Sequence, residues 1–240
     1  PARRFFAYFH FMDPHAPYLP HAPGPNWGDE PRDVYDQEVR FTDAWVGKLV
    51  DWALDQPWGK HTAVIISADH GESFGAHNLF KHGYELWEDV IHVPLLIYAP
   101  GAHARRIDTP RSHIDLAPTI LQLMGIRVPQ SLPGKSLVPE LYGLAPEARP
   151  VIADLPRDTL QDRRRALIQG TDKLIAFGDD RYFMLFDLKT DPEEQKDLIL
   201  ADPARMKKLL EQYQKLSAGI ELREVTGYAE LKGAPEGRKW

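Results

Sequence analysis

The stretch Thr62–Glu72, TAVIISADHGE, decides both the fold and where to look for chemistry. Its first five residues are β-branched or apolar, which predicts a buried central strand. Asp69 and His70 follow that strand closely, and sites in open α/β sheets form at the carboxyl ends of strands. A carboxylate and a neutral imidazole there can both face one cation, while Gly71 lets the backbone turn away. A capping aspartate beside a surface histidine fits the same spacing equally well.

Strand and helix patterns alternate on both sides of this stretch. Phe5–Phe9 and Val93–Tyr98 are short apolar runs of the kind found in buried strands. Between residues 34 and 54 the apolar positions recur every three or four residues, which predicts an amphipathic helix. Residues 115–124 predict a second helix, capped by Ser112 or by its own first residue. This order indicates an α/β fold with a mostly parallel sheet flanked by helices.

The C-terminal third has a different pattern. A proline-rich stretch before residue 150 predicts a boundary between residues 1–148, the α/β part, and residues 149–240, a small α+β unit. In the second unit we predict a small antiparallel sheet with the strands Ala166–Gln169, Lys173–Phe177 and Tyr182–Leu188. One helix then begins at Asp202-Pro203 and runs to about Leu216, with aspartate at the N-cap. The polar tail beyond it is expected to be loose.

Composition excludes several classes of protein. The 240 residues carry a net charge of −6 and 43% are hydrophobic, so we expect a sizeable core and no nucleic-acid partner. The absence of cysteine excludes disulfides, thiolate metal sites and a cysteine nucleophile within this chain. No apolar run approaches the roughly 18 residues that span a bilayer. The first residue is Pro1 rather than methionine, so the chain is expected to begin inside a longer gene product.

Two further loops carry groups suited to an anion. The loop from His10 to Tyr18 follows the first predicted strand and also holds His15, on a backbone stiffened by prolines. Its imidazoles could bind an anionic substrate or protonate a leaving group. Lys81-His82 lies in the loop beyond Asp69-His70, where a cation could hold the oxygens of a sulfate or phosphate. Each loop taken alone is also compatible with a solvated surface segment.

The segments taken together resemble the sulfatase family of the alkaline phosphatase superfamily. The resemblance covers the chain from Phe5 to about Leu198. The matching phrases are FFAYFHFMDPHAPYLP (5–20), YDQEVRFTDAWVGKLVDWAL (35–54), TAVIISADHGESFGAHNLFKHGYELWEDVIHVPLLIYAPG (62–101), SHIDLAPTILQLMGI (112–126), LPGKSL (132–137), GTDKLIAF (170–177) and YFMLFDLKTDPEEQKDL (182–198). The resemblance implies an alkaline-phosphatase-like sheet with a small C-terminal subdomain.

The resemblance also implies roles for individual residues. Asp69 and His70 match metal ligands of the family. His15 matches a histidine that contacts the transferred group or the leaving-group oxygen, and His82 matches the second catalytic position. Lys81 is the neighbouring candidate for that position, and the choice between the two stays open. From these matches, and from the reading of the 10–18 loop for His10, we expect Lys81 and His10 to bind substrate and His15 and His82 to be catalytic.

The implied cofactors reach beyond this chain. The resemblance implies one divalent metal ion, Ca²⁺ first and Mn²⁺ or Zn²⁺ as possibilities. It also implies a formylglycine nucleophile made from Cys or Ser in a Cys/Ser-x-Pro-x-Arg motif. The nearest sequence here, Ser131 to Lys135, lacks the arginine. In the family the nucleophile and the other metal ligands lie N-terminal to everything matched here. The chain is therefore expected to be an incomplete portion of the catalytic unit, inactive by itself.

Three functions remain open from the sequence. The first is metal-dependent hydrolysis of a small-molecule sulfate ester, together with the missing N-terminal part of the same protein. The second is phosphoester or phosphonate hydrolysis, or phosphoglycol transfer, within the same superfamily. The third is a non-catalytic fragment or anion-binding domain. By family analogy we expect an extracytoplasmic setting, periplasmic or membrane-facing. The sequence leaves the substrate and the oligomeric state open.

Overall fold

The computed structural model describes residues 4–21, 24–159, 161–221 and 224–225. The helices are α1 (Pro31–Asp55), α2 (Glu88–Ile91), α3 (Leu116–Leu123), α4 (Val138–Leu141) and α5 (Pro203–Ser217). The strands are β1 (Val64–Ser67), β2 (Ser73–Phe74), β3 (Phe80–Lys81), β4 (Leu95–Tyr98), β5 (Val151–Leu155), β6 (Arg157–Asp158), β7 (Arg164–Gln169), β8 (Asp172–Phe177), β9 (Tyr182–Asp187) and β10 (Glu224–Val225).

The long helix α1 confirms the amphipathic pattern. It begins with Pro31 in its first turn, where a missing N–H costs nothing, and ends before Pro57. Its buried side chains include Glu38, which is 1% exposed. The Glu38 carboxylate accepts the Leu19 N–H at 2.8 Å. The helix therefore serves as the platform for the proline-rich loop that precedes it.

β1 and β4 confirm the two strands predicted around the central stretch, but not their direction. They pair antiparallel, with Ile65 opposite Ile97. A parallel pair needs a crossover, usually a helix that packs on the sheet face. The connection here contains the β2–β3 hairpin and the short helix α2 instead. The expected mostly parallel sheet is therefore not confirmed in the described residues, where a parallel pair is found only between β6 and β10.

The predicted buried strand at Phe5–Phe9 is not found. These residues have no regular secondary structure. Phe5, Phe6 and Phe9 are each 60% exposed and Tyr8 is 75% exposed. A strand is stable only beside a hydrogen-bonded neighbour, and within the described residues this segment has none. The aromatic side chains of this segment are therefore exposed, although its composition predicted burial.

The C-terminal sheet forms the best-packed part of the molecule. Its antiparallel order is β5-β7-β8-β9, which confirms the three predicted strands and adds β5, hidden between prolines in the sequence. Side chains alternate between its two faces. One face buries Ile175 against Leu86 and Trp87, and the other buries Leu174 against Leu209 of α5. The sheet is thus held between α5 and the segment that leads into α2.

The start of α3 confirms the capping prediction. Ser112 and Asp115 form a capping box at the turn leading into the helix. Asp115 is fully buried and accepts two hydrogen bonds from Arg149, at 2.8 and 2.5 Å, and one from the Lys135 N–H at 2.9 Å. Although burial opposes ionisation, these donors hold the pKa of Asp115 below its usual range. The LPGKSL phrase is thereby tied to the helix start, and Gly125 ends the helix with a φ of +65°.

Two other sequence expectations concern the chain ends and membranes. The boundary between residues 1–148 and 149–240 stays a prediction. Most of the polar tail lies outside the described residues. Among the helices of the described part, none combines the length and the apolar character needed to cross a bilayer.

Candidate functional site

The loop after β1 packs directly on α2. The Gly71 N–H donates to the Val90 carbonyl at 2.7 Å. A Cβ on Gly71 would lie 2.1 Å from the carbonyl oxygen of Asp89, so only glycine allows this approach. The contact fixes the backbone that carries His70 and Glu72.

One ring nitrogen of His70 is committed and the other is available. Nδ1 lies 2.9 Å from the Gly71 carbonyl. Because a carbonyl can only accept, Nδ1 carries the proton and Nε2 keeps its lone pair. Nε2 lies 3.7 Å from Oδ2 of Asp69, whose side chain is 73% exposed. A lone pair and a carboxylate that face each other at an open surface form a two-donor set for a cation.

The imidazole of His82 stacks on that of His70. The ring centroids are 3.8 Å apart and the planes are 26° from parallel. Nδ1 of His82 lies 3.2 Å from Oε1 of Glu72, a carboxylate that is only 5% exposed. The carboxylate holds the proton on Nδ1, so Nε2 of His82 is again the available atom.

The Glu72 carboxylate is held by a tyrosine that belongs to a cluster of packed aromatic rings. The Tyr18 hydroxyl donates to its Oε2 at 2.7 Å. Tyr18, Tyr35 and Phe74 pack ring against ring, with centroids 5.1 to 5.9 Å apart. Burial, reinforced by the Glu72 charge, raises the pKa of both tyrosines. Tyr18 therefore stays protonated and remains a donor to Glu72.

His15 brings the proline-rich loop to the same place. Its ring is edge-on to His82, with centroids 5.8 Å apart. Its Nδ1 lies 2.7 Å from the Ala16 carbonyl, which again leaves Nε2 available. The loop is anchored to α1, where the Thr42 hydroxyl donates to the Asp13 carbonyl at 3.2 Å.

The structure thus brings together His15, His70 and His82, with Asp69 at the edge. Each imidazole has Nδ1 tied to an acceptor and Nε2 left over. In the neutral form Nε2 can bind a metal or accept a proton, and in the protonated form it can hold an anion or give the proton back. The arrangement suits the transfer of an anionic group from an oxygen leaving group.

The two residues predicted to bind substrate, His10 and Lys81, are both exposed. His10 is exposed, and its hydrogen bond at 3.2 Å and its ring contact are both with Tyr8. Lys81 is exposed at the end of β3, with a left-handed φ of +69°. Between the neighbours Lys81 and His82, the structure places His82 in the imidazole stack. A substrate role for Lys81 or His10 stays a prediction.

A concavity lies between α1 and residues 11–13 of the loop that carries His10 and His15. Its volume is about 640 Å³, and its lining is mainly aromatic and aliphatic, including Phe11, Trp45 and Trp52. The polar groups at its walls are few, among them Asp13 and Lys48. The concavity lacks the clustered acid–base groups that chemistry needs, so the imidazole cluster remains the candidate site.

Comparison with known proteins gives the family. Residues 1–126 match the family description "Sulfatase". The chain belongs to the sulfatase family. Residues 75–220 also match "N-sulphoglucosamine sulphohydrolase, C-terminal", so this sulfatase-family chain is matched from its first residue into α5 and just beyond. The resemblance carried by the sequence motifs is confirmed.

Individual relatives of this sulfatase-family chain agree. The uncharacterized sulfatase YidJ of Escherichia coli strain K12 is 33% identical over 168 residues, 66% of this chain and 32% of that protein. The delta 4,5-hexuronate-2-O-sulfatase of Bacteroides thetaiotaomicron is 28% identical, over 86% of this chain and 45% of that protein. The solved phosphonate monoester hydrolase from Silicibacter pomeroyi has a TM-score of 0.70 and 25% identity, covering 78% of this chain and 41% of that one. The chain therefore spans less than half the length of these relatives.

The donors present bear on the divalent metal that is expected of a sulfatase-family chain. Within the described residues, no group of three or more His, Asp or Glu side chains is arranged to hold a metal ion. Asp69 and His70 offer one carboxylate and one oriented imidazole nitrogen. The donor types fit a divalent cation, but their number fits only if further ligands come from elsewhere.

Sequence reasoning overlooked the groups that hold the histidines. Glu72 and Tyr18 lie inside the quoted motifs, but the sequence patterns assign neither of them a role. Glu72 lies two residues beyond His70, at the same strand end, and that position is the signal that could have identified it. Tyr18 had no comparable signal, because its partner is 54 residues away in the sequence.

Proposed function

We propose that this chain forms the histidine-bearing part of a metal-dependent sulfatase that hydrolyses a small-molecule sulfate ester. The observation that carries the proposal is the convergence of His15, His70 and His82, each presenting Nε2, in a chain of the sulfatase family. A sulfate ester is an anion whose hydrolysis needs charge neutralisation and a proton donor for the leaving oxygen. The cluster offers groups for both tasks.

Asp69 and His70 are the proposed metal ligands. A divalent ion bound there, with Ca²⁺ the first expectation and Mn²⁺ or Zn²⁺ as alternatives, would neutralise the ester oxygens and favour the ionised nucleophile. The Gly71 carbonyl holds the ring of His70 with Nε2 toward the carboxylate of Asp69. This orientation is what a histidine ligand requires.

His82 and His15 are the proposed acid–base and anion-holding groups. Glu72 fixes the Nδ1 proton of His82, so that its Nε2 can exchange a proton with the ester. His15 is exposed and lies edge-on to His82, so the leaving group is proposed to depart beside it. One of the two protonates the leaving oxygen while the other holds the transferred group.

The nucleophile is proposed to lie on polypeptide outside this chain. The chain has no cysteine, and its Ser131 to Lys135 segment lacks the arginine of the formylglycine motif. The matches cover only 32% and 45% of the two relatives, so more than half of each relative lies outside the matched part. We therefore expect the isolated chain to be inactive, and the extracytoplasmic setting stays a prediction from the family resemblance.

A second candidate is hydrolysis of a phosphonate or phosphate ester. It is supported by the likeness to the phosphonate monoester hydrolase, at a TM-score of 0.70. Tetrahedral anions of sulfur and phosphorus present similar oxygens to the same imidazoles, so the geometry of the cluster does not separate the two reactions.

The test is an assay of the complete polypeptide against an aryl sulfate, a phosphonate monoester and a phosphate monoester. The sulfatase proposal expects the highest kcat/KM with the sulfate, and a loss of about 10²- to 10⁴-fold on His82→Ala. Preference for the phosphonate would favour the second candidate. Turnover of all three esters that is indifferent to His82→Ala would refute both. Calorimetric titration of the isolated chain with sulfate then tests the remaining alternative, an anion-binding domain.

A further inference from the structure

A buried trio of charges joins the C-terminal sheet to α2. Nζ of Lys173, on β8, lies 2.8 Å from Oε1 of Glu88 and 2.7 Å from Oε1 of Glu194. The side chains of Lys173 and Glu194 are 0% and 1% exposed, and that of Glu88 is 18% exposed. Oε2 of Glu194 also accepts the backbone N–H of Glu88 at 2.7 Å.

Charged side chains are unusual at this buried position of the sheet. By strand alternation Lys173 lies on the same sheet face as Ile175, the face that carries the apolar cluster with Trp87. Burying an ammonium costs several kcal/mol unless partners surround it. Two carboxylates from different segments surround this one, and both also touch the first turn of α2. The trio therefore fixes where α2 begins.

From α2 a short path leads to the metal-ligand candidate. The carbonyl of Val90, on α2, accepts the Gly71 N–H at 2.7 Å. The Gly71 carbonyl in turn holds Nδ1 of His70 at 2.9 Å. A shift of α2 is passed to Gly71 through this hydrogen bond and through the close backbone contact with Asp89, which leaves no room for even a Cβ on Gly71. The His70 ring thus inherits its orientation from the helix.

The loop that contains Glu193 and Glu194 also contacts the β2–β3 hairpin. Nε2 of His77 lies 3.0 Å from the Glu193 carbonyl. The His77 ring stacks on Trp87, with centroids 3.8 Å apart and planes 9° from parallel. The hairpin leads directly to His82, so the residues around Glu194 hold both segments that form the imidazole stack.

We propose that Lys173 is a positioning residue for the candidate site, acting through Glu88, Glu194 and α2 on the imidazole of His70. The C-terminal sheet, on this account, sets the tautomer and direction of a proposed metal ligand through the helix α2. The inference rests on the proposed function for what His70 does, but the positioning itself is measurable without turnover.

The test is ¹⁵N NMR of the histidine rings in the 240-residue chain, at a pH well above the ordinary histidine pKa of about 6.5. In the wild-type chain His70 should show one tautomer, with Nδ1 protonated and Nε2 bare. Lys173→Met leaves two carboxylates without their cation, so the His70 Nδ1 and Nε2 resonances should move toward each other as tautomers mix. His10, exposed and outside the path, should not change.

A matched variant separates positioning from general loosening. Arg205→Met also removes a cation from a carboxylate pair, Asp172 and Asp187, but on the α5 side of the sheet. It should lower the melting temperature and leave the His70 resonances in place. Movement of His70 in Arg205→Met as large as in Lys173→Met would overturn the proposal, since loosening alone would then explain both.

A milder change guards against loss of folding. Glu194→Gln keeps an acceptor for the Glu88 N–H and removes one charge of the trio. It should move the His70 resonances in the same direction by a smaller amount. Unmoved His70 resonances in a folded Glu194→Gln or Lys173→Met chain refute the proposal. A wild-type polypeptide that turns over no sulfate ester would instead refute the proposed function, with the NMR result unaffected.

Discussion

The imidazoles of His70 and His82 stack with ring centroids 3.8 Å apart, although twelve positions of chain and a hairpin separate them. The stack unites two motifs that follow different strands, β1 and β3. Both rings have Nδ1 tied to an oxygen of the Gly71–Glu72 segment, the Gly71 carbonyl for His70 and the Glu72 carboxylate for His82. The loop after β1 therefore orients two of the three imidazoles of the site.

Glu72 is expected to act on catalysis through His82. The carboxylate accepts from both His82 Nδ1 and the Tyr18 hydroxyl, and a glutamine has only one oxygen for these two donors. Loss of an orienting partner of this kind typically costs about 10- to 100-fold in activity or metal affinity. We therefore expect Glu72→Gln to lower kcat/KM of the complete polypeptide by that factor, measured on the ester that it hydrolyses best.

The control for this prediction is Glu85→Gln. Glu85 pairs with Arg164 at 2.9 Å and lies near His82 in the sequence, but its carboxylate is engaged by the guanidinium and not by an imidazole of the site. Its kcat/KM should stay within about twofold of wild type, as is usual for a partly exposed ion pair. Equal losses in the two variants would mean that Glu72 has no special link to His82.

Gly71 is expected to tolerate no side chain. A Cβ would sit 2.1 Å from the Asp89 carbonyl oxygen, which is backbone and cannot swing away. Gly71→Ala should destabilise the fold by about 1–3 kcal/mol through overpacking and should also displace His70. A Cβ on Gly47, inside α1, would meet no described atom within 4 Å. Gly47→Ala should stabilise by about 0.5–1 kcal/mol. Urea unfolding measures the free energy of unfolding of both variants. A Gly71→Ala chain as stable as the wild type would show that the loop can move.

Local patterns predicted the elements well where one segment decides its own structure. The three- and four-residue spacing of α1, the aspartate–proline start of α5 and the alternation in β7, β8 and β9 all have their cause within the segment. The strand predicted at Phe5–Phe9 is not found because a strand needs a hydrogen-bonded neighbour. The predicted parallel direction is not confirmed because it depends on the path of the chain between β1 and β4, which pair antiparallel. Sequence patterns carry no direct signal for either.

The same distinction applies to the residues of the candidate site. His15, His70 and His82 could be predicted because each follows a strand or lies in a recognisable motif. Of the residues that orient them, Glu72 has a signal in its position close to His70, but Tyr18 could not be predicted, because its contact with Glu72 joins segments that meet only after folding. The pairing of His10 with Tyr8 is likewise a matter of side-chain direction, which spacing does not report.

Asp115 predicts a pH dependence of stability. Its pKa is lower in the folded chain than the ordinary value of about 3.9, so it stabilises the fold above that pH and the contribution is lost as pH falls through the folded pKa. The free energy of unfolding should therefore decline as the pH is lowered from about 5. Asp115→Asn should flatten this decline and cost about 3–5 kcal/mol at neutral pH, because Arg149, with 15% exposure, is left without its carboxylate.

Urea titrations over a pH series measure this effect. Asp108→Asn is the control, since that carboxylate is 79% exposed beside Arg106 and should leave the pH profile unchanged. An Asp115→Asn chain whose stability falls with acid as steeply as that of the wild type would assign the acid sensitivity to other carboxylates.

His15 and His10 should differ in their effect on turnover. His15 contacts the imidazole stack through His82, whereas His10 contacts Tyr8. We expect His15→Ala to lower kcat by about 10²-fold or more, as for loss of a group that transfers a proton, and His10→Ala to lower it far less. A larger loss of kcat for His10→Ala than for His15→Ala would contradict this ranking of the two histidines.

Asp69 and His70 are proposed to bind the catalytic metal of the complete polypeptide. The most direct test of this proposal is the metal content of purified wild-type, Asp69→Asn and His70→Ala proteins by mass spectrometry, with turnover of an aryl sulfate measured before and after chelation. We expect about one divalent ion per wild-type polypeptide and loss of both metal and activity in either variant, by about 10²-fold or more. Full metal content with unchanged turnover in both variants would show that the ion, if needed, is bound elsewhere.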